Sequence, residues 1–366
     1  MKKIKVGIIF GGKSAEHEVS LQSAKHVIEA MNKDKYEPVL IGVDKTGTWV
    51  LIERSKFLLN SENSKLRELN TEAGHRVALL PQSNGKMVNI DTRQLEESID
   101  VVFPILHGPF GEDGTIQGLL KLANIPFVGA SVLGSAIGMD KDVMKRLLRD
   151  AGIAIGKFLT LKEGEVPSYE EVVKNVGLPF FVKPANMGSS VGISKVNEEK
   201  DFDTAIREAF NYDRKILIEE NIIGREIECS VLGNDDPIAS VPGEVISRHD
   251  FYSYEAKYRD EHGAVLEIPA KLPEEMMQKV QALAIKTFKT LSCEGLGRVD
   301  FFFKENGEVL VNEINTMPGF TSMSMYPKLW EASGISYTEL IDHLLQFALE
   351  RFEKEQKLKT SYDTEL

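Results

Sequence analysis

The sequence predicts a mixed α/β and α+β protein: a doubly wound parallel sheet at the N-terminus, then antiparallel sheets. Three stretches carry that expectation. Ile4–Phe10, the turn Gly11-Gly12-Lys13-Ser14, a helix to about Met31 and the apolar run Tyr36–Val43 make a β-loop-α-β opening. Further on, Phe180-Phe181-Val182-Lys183-Pro184 reads as a strand that enters a Gly/Ser loop and returns through Val196. Last, two apolar runs flank Asn306-Gly307, the strongest short-range hairpin signal.

At 366 residues the chain exceeds the size at which one core stops growing, so two or three domains are expected. Composition shifts near Ala130, and a new antiparallel sheet opens after Glu220. The expected domains are therefore 1–130, 131–220 and 221–366. A formal net charge of −12 argues against a basic nucleic-acid-binding surface. Cys229 and Cys293 stand far apart, outside any metal-ligand spacing, and read as buried reduced thiols of a cytoplasmic protein. Ile4–Phe10 is too short for a signal-peptide core, and no run reaches membrane-spanning length.

In chain order, Ala24, Val27, Ile28 and Met31 recur at helical spacing. In a doubly wound sheet, ligands sit beyond the carboxyl ends of strands. The Gly-Gly turn lacks a G-x-G-x-x-G pattern, so a dinucleotide is not supported. Within His17-Glu18-Val19-Ser20, Glu18 is either a dipole-favoured surface group or a partner for a substrate ammonium. Asp44 to Ile99 offers short strands at Thr48–Ile52 and Arg76–Leu80 and no chemistry. Asp100–Leu106 reads as a strand whose carboxyl end runs into His107-Gly108-Pro109-Phe110-Gly111-Glu112-Asp113-Gly114. A glycine-rich loop with ionisable groups at that place is a binding loop, and His107 is expected to touch ligand. Thr115–Ala123 reads as helix, Pro126–Gly129 as strand, and Ser135–Asp150 as one helix holding Met139-Asp140-Lys141.

Lys183 ends its strand and faces Ala185-Asn186-Met187-Gly188-Ser189-Ser190-Val191-Gly192. Small residues let backbone N–H groups approach phosphate, and a lysine supplies charge. No Walker A pattern is present, yet nucleotide binding is the expectation. Gly224–Leu232 and Ile238–Val245 read as antiparallel neighbours, and the polar, aromatic stretch Ser247–Glu267 as a lid. Pro273–Leu291 and Tyr337–Glu355 read as helices.

For the hairpin, a two-residue Asn306-Gly307 turn pairs Glu305 with Glu308. Phe302 then faces Val311, Asp300 faces Glu313, and Arg298 faces Asn315. Alternation puts Arg298, Asp300, Glu313 and Asn315 on one face. Opposed carboxylates repel. A hard divalent cation shared with phosphates, typically Mg²⁺, offsets that; the plain alternative is a solvated edge. A one-residue bulge breaks this register.

Collinear along nearly the whole chain stand G-G-K-S-A-E-H-E-V-S, L-H-G-P-F-G-E-D-G-T-I-Q-G, G-M-D-K, V-K-P-A-N-M-G-S-S-V-G, G-R-E-I-E, Y-E-A-K-Y, G-R-V-D and N-E-I-N-T-M-P-G-F-T-S-M-S. Together they resemble the D-alanine–D-alanine ligase family of the ATP-grasp superfamily; Asp44 to Ile99 matches poorly. The resemblance implies an N-terminal α/β substrate domain followed by a two-part ATP-grasp fold that clamps ATP between two antiparallel sheets. It implies two Mg²⁺ ions, replaceable by Mn²⁺, on Asp300, Glu313 and Asn315. It places Lys141 and Lys183 on the phosphates, Ser189 and Ser190 in the covering loop, and Glu219 and Glu226 on the adenine edge and ribose. Glu18 resembles the partner of the first D-alanine's ammonium. Arg298 and the Gly319 backbone resemble the oxyanion donors, with Ser324 and Met325 at the second D-alanine's carboxylate. Lys257 and Tyr258 resemble lid residues, His107 an acceptor-side residue, and Glu18–Ser189–Tyr258 a hydrogen-bonded set that moves a proton.

The implied reaction passes through D-alanyl phosphate to D-alanyl-D-alanine, ADP and phosphate for peptidoglycan precursors, in a cytoplasmic homodimer. Three rivals have distinct marks. A D-alanine–D-lactate relative lacks the lid Lys-Tyr pair. Another ATP-grasp carboxylate–amine ligase lacks H-E-V-S together with T-S-M-S. A nucleotide-binding regulator without turnover has no need of an intact metal set.

Overall fold

The computed structural model describes residues 2–52, 58–59, 68–69, 74–96, 98–165, 167–247 and 264–361. Its first sheet is built on β1 (Ile4–Gly11), β2 (Tyr36–Val43) and β8 (Val101–Ile105), which pair in parallel with β1 in the middle. These strands are nearly continuous apolar runs because helices cover both of their faces. Outside β2 the sheet turns antiparallel, through β3 (Trp49–Ile52), β6 (Gly74–Leu79) and β7 (Met87–Asn89), giving the order β7-β6-β3-β2-β1-β8. The expected parallel sheet is thus a mixed one. Asp44–Thr48 is long enough for a turn and far too short for the crossover that parallel pairing needs. Asp44 closes the turn by accepting the Thr46 and Thr48 amides at 2.8 and 2.9 Å. A separate ribbon joins β4 (Leu58–Leu59) and β5 (Glu68–Leu69).

One face of the first sheet packs on α1 (His17–Ala30) through Leu21, Ala24, Val27 and Ile28. The same core takes Leu340, Ile341, Leu344, Leu345 and Ala348 from α9 (Tyr337–Gln356), so the C-terminal helix closes on the N-terminal strands. A Ser336–Glu339 capping box starts α9. α2 (Thr115–Leu122) covers the other face. Pro126–Gly129 forms no regular strand; Phe127 makes a single parallel bridge to Val102.

The helix expected over Ser135–Asp150 is two, α3 (Val132–Met139) and α4 (Lys141–Asp150). Asp140 breaks it. Its backbone is extended, and its carboxylate accepts the Val143 amide as an N-cap. Lys215 pins that carboxylate at 2.7 Å, and Lys141 becomes the first residue of a helix rather than one in mid-course.

The second sheet is antiparallel, order β11-β10-β12-β9, from β9 (Phe158–Lys162), β10 (Phe180–Pro184), β11 (Ser194–Val196) and β12 (Lys215–Glu220). α5 (Tyr169–Val176) and α6 (Glu199–Phe210) bury Val172, Phe202 and Ile206 against it. The third sheet comprises β13 (Arg225–Gly233), β14 (Ile238–Ala239), β15 (Gly243–Ser247), β16 (Ala264–Glu267), β17 (Gly295–Phe303) and β18 (Val309–Asn315). Its order is β16-β15-β13-β17-β18, with β14 on β13. α7 (Glu274–Thr290) packs Val280, Ala284 and Phe288 beneath it, and α8 (Met325–Ala332) follows β18.

The β17–β18 hairpin departs from expectation twice, and the departures cancel. Lys304 pairs with Glu308 across a three-residue loop, Glu305–Gly307, so Glu305 and Glu308 are not partners. Gly307 has φ +80°, while Asn306 is absent from the positive-φ residues, so the two-residue turn that needs both left-handed does not form. The pairs Phe303–Val309, Phe302–Leu310 and Phe301–Val311 are one residue out from the expected register. A β-bulge then inserts Asn312 between Phe301–Val311 and Asp300–Glu313. Beyond it, Asp300 faces Glu313 and Arg298 faces Asn315, as the shorter turn would also have had them.

Candidate functional site

Register across the third sheet lines up Glu228 on β13, Asp300 on β17 and Glu313 on β18. Arg298 lies on the same face. It donates Nε to Asp300 Oδ1 and Nη2 to Asp300 Oδ2, both at 2.8 Å, and its Nε is 2.7 Å from Glu228 Oε2. Asn315 Nδ2 donates to Asp300 Oδ2 at 2.9 Å. Burial opposes the charge on Arg298, but Asp300 and Glu228 outweigh it and raise its pKa. Arg298 therefore offsets part of the repulsion that the sequence left open. Among the described residues no group of three or more His, Cys, Asp or Glu side chains is set to hold a metal. The Asp300, Glu313 and Asn315 set supplies two carboxylates and an amide instead. That is the hard-oxygen chemistry a Mg²⁺ shared with phosphates takes.

Lys141, at the start of α4, donates to Met187 O at 2.7 Å and lies 3.6 Å from Glu313 Oε2. It thus spans from the carboxylate face to the Gly/Ser loop. Lys183 on β10 is 2.7 Å from Glu219 Oε2, and Lys145, one turn beyond Lys141, is 3.4 Å from the same oxygen. Burial alone would raise the Glu219 pKa, yet the Lys145 and Lys183 ammoniums bring it below the ordinary carboxylate value. Burial, aided by Lys183, pulls Lys145 below its ordinary value despite Glu219. Glu219 Oε1 is buried and has no hydrogen-bond partner among the described residues. A buried acceptor of that kind calls for a donor; the amino group of adenine fits. Glu226 is exposed and shares the Glu228 face, two residues along β13.

Ser189 and Ser190 both have left-handed backbones, φ +52° and +60°, which curl the loop over the site. The Ser189 hydroxyl donates to Glu16 Oε1. Cβ atoms added to Gly108 and Gly188 would lie 2.9 and 3.5 Å from Glu16 Oε2, so two glycine loops converge on this carboxylate. Glu18, given the ammonium role above, points elsewhere: it is exposed and paired with Lys45 at 2.5 Å. The reason is helical geometry. Glu16 precedes the first turn of α1 and stays with the loop, whereas Glu18 turns outward with the helix.

His107 does not face open space. It is buried, with Nδ1 donating to Met317 O at 3.0 Å and Nε2 3.1 Å from Ser23 Oγ. Gly319 follows close by, and a Cβ there would lie 3.0 Å from Ser324 Oγ. Ser324 Oγ accepts the Thr321 amide at 3.1 Å, directly before α8. Met325 is a core residue, its side chain buried with Val245 and Leu329, so the part of it that stands beside Ser324 is the backbone N–H at the start of α8. Lys257 and Tyr258 lie outside the described residues, as does most of the expected lid.

Sequence reasoning passed over Glu16, Lys145 and Glu228. Lys145 had a signal, since with Lys141 and Leu148 it forms a stripe at helical spacing. Glu228 had one too, being two residues from Glu226 on the same strand face.

The D-ala D-ala ligase N-terminus profile matches residues 5–130, and that of the D-ala D-ala ligase C-terminus matches 147–346. A D-alanine–D-alanine ligase of Oceanobacillus iheyensis is 54% identical over 365 residues, covering 99% of both chains. The solved D-alanine-D-alanine ligase from Coxiella burnetii aligns with TM-score 0.86 at 38% identity, over 98% of this chain and 97% of that one. The VanG D-Ala:D-Ser ligase from Enterococcus faecalis aligns with TM-score 0.84 at 37% identity, over 95% of this chain and all (100%) of that one. With both profiles matched in order and full-length relatives near half identity, the chain belongs to the D-alanine–D-alanine ligase family.

Proposed function

We propose that this protein uses ATP to join two D-alanine molecules through a D-alanyl phosphate, releasing ADP and phosphate. One observation carries the reading: Lys141 touches both the Asp300–Glu313 face and the Gly/Ser loop, which makes a single site of the metal-type and phosphate-type groups. Family membership supplies the substrate class.

A carboxylate cannot be attacked by an amine directly, because oxide would have to leave. Phosphorylation makes it reactive, and that step is mainly positioning and charge neutralisation. Asp300, Glu313 and Asn315 would hold Mg²⁺, which when bound neutralises phosphate charge. Lys141 and Lys183 hold the phosphates, Ser189 and Ser190 cover them, Glu219 Oε1 accepts the adenine amino group, and Glu226 takes the ribose. Glu16, rather than Glu18, takes the ammonium of the first D-alanine; its bond to Ser189 favours this. Arg298 and the Gly319 N–H stabilise the oxyanion as the second amine attacks. Ser324, at the positive end of α8, holds the second carboxylate. In this reading Tyr258 joins Glu16 and Ser189 in moving the amine's proton, and Lys257 and Tyr258 help to exclude water from the acyl phosphate. The working form would be a cytoplasmic homodimer, which sedimentation of the purified protein tests.

The acceptor is the open choice, since the structural relatives include a D-Ala:D-Ser ligase. ADP release should be measured with D-alanine alone, then with D-serine, D-lactate or L-alanine added. Turnover on D-alanine alone supports the reading, and ADP release indifferent to D-alanine overturns it.

A further inference from the structure

Ser23 lies on the buried side of α1, fully enclosed, in no motif that the proposed reaction uses. Its hydroxyl is 3.1 Å from His107 Nε2 and accepts the Phe320 amide at 3.3 Å. The other ring nitrogen of His107 donates to Met317 O at 3.0 Å. A carbonyl only accepts, so Nδ1 carries a proton, and the Ser23 hydroxyl can meet Nε2 as donor or as acceptor. The chain Phe320 N–H, Ser23, His107, Met317 C=O therefore grips the backbone on both sides of Pro318-Gly319. Pro318 has no N–H, so Gly319 supplies the N–H inside the gripped segment. The far side is fixed as well, since the Tyr337 hydroxyl donates to Phe320 O and the Phe320 ring packs edge-on against Phe103.

We propose that Ser23 is a positioning residue: through His107 and Phe320 it sets the direction of the Gly319 N–H toward the reacting carboxyl group. This rests on the functional reading above. It also makes the first sheet part of the oxyanion site, because α1 and the His107 loop hold a segment that follows the third sheet. His107 acts on the reaction through the backbone, which explains why a buried imidazole sits in a glycine-rich binding loop.

The test is S23A, with S23T as the variant that keeps the hydroxyl. Outright loss of one oxyanion donor costs about 10²–10³ in kcat, and a donor that is present but loosened should cost about tenfold. We expect S23A to lose about tenfold in kcat for dipeptide formation, with the KM for ATP unchanged. A tetrahedral phosphinate dipeptide analogue should bind S23A more weakly by the same factor. Amide hydrogen exchange over Met317–Thr321 should accelerate, and S23T should restore kcat and protection. Wild-type kcat in S23A, or a loss shared equally by ATP affinity and kcat, overturns the proposal. The exchange readout does not depend on turnover. If the wild-type protein makes no dipeptide while S23A still loosens Met317–Thr321, the functional reading fails and the grip on Gly319 stands.

Discussion

Replacing Glu16 and Glu18 separately by Gln tests where the first amino acid binds. Glu16 is half-buried between glycine loops, and its Oε1 already accepts from Ser189. Glutamine keeps that acceptor and removes the charge. A hydrogen bond to a charged group contributes about 1.5–3 kcal/mol, so E16Q should raise the KM of the first D-alanine roughly ten- to a hundredfold. Glu18 is a surface group, its side chain 50% exposed beside Lys45. Exposed pairs of that kind contribute at most about 1 kcal/mol, and to stability rather than to binding. E18Q should therefore leave the D-alanine KM alone. Initial rates of ADP release against D-alanine at saturating ATP give both values, and the KM for ATP serves as control. Glu16 is not the ammonium partner if E18Q raises the D-alanine KM as much as E16Q does, or if E16Q leaves it unchanged.

Three further outcomes follow from buried charge, buried thiols and the hairpin. E219Q removes the carboxylate that Lys145 and Lys183 share, which should cost about 3–5 kcal/mol. The Glu219 pKa is lowered, so its contribution is full above the ordinary carboxylate range and disappears as pH falls through its folded value. The gap in denaturation midpoint between wild type and E219Q should thus be wide at neutral pH and close on acidification; a constant gap contradicts this. Burial pushes the Cys229 and Cys293 thiols up to about 12, so an aromatic disulfide reagent at pH 8 should react with neither until the protein is denatured. Deleting Glu305 leaves Asn306-Gly307 as a two-residue turn and keeps Lys304 opposite Glu308. Activity should stay within about twofold, since the Asp300–Glu313 register is untouched; its loss would mean that the loop does more than connect.

Much of this site was legible because it lies on regular strands. Alternation put Arg298, Asp300, Glu313 and Asn315 on one face, and that arrangement stands although the turn is longer and a bulge intervenes. A two-residue turn and a longer turn with a bulge give the same register at the functional end, and sequence pattern alone does not separate them. Glu16 was not legible, because its direction depends on two loops, at Gly108 and at Gly188-Ser189, that meet on its carboxylate. The break at Asp140 was readable in principle: an aspartate before Lys-Asp-Val is an N-cap signal, overridden by helical periodicity on both sides. His107 was expected at a ligand because it sits in a binding loop; that its ring is held by Ser23 on α1 and by the Met317 carbonyl, both remote in sequence, was not legible.

The central claim is that ATP activates the carboxyl group of D-alanine as an acyl phosphate. D-Alanine labelled with ¹⁸O in its carboxyl group tests it directly, by mass spectrometry of the phosphate released. We expect one labelled oxygen in each phosphate, matched one to one with ADP and with D-alanyl-D-alanine. Unlabelled phosphate, or phosphate release without dipeptide, would contradict it.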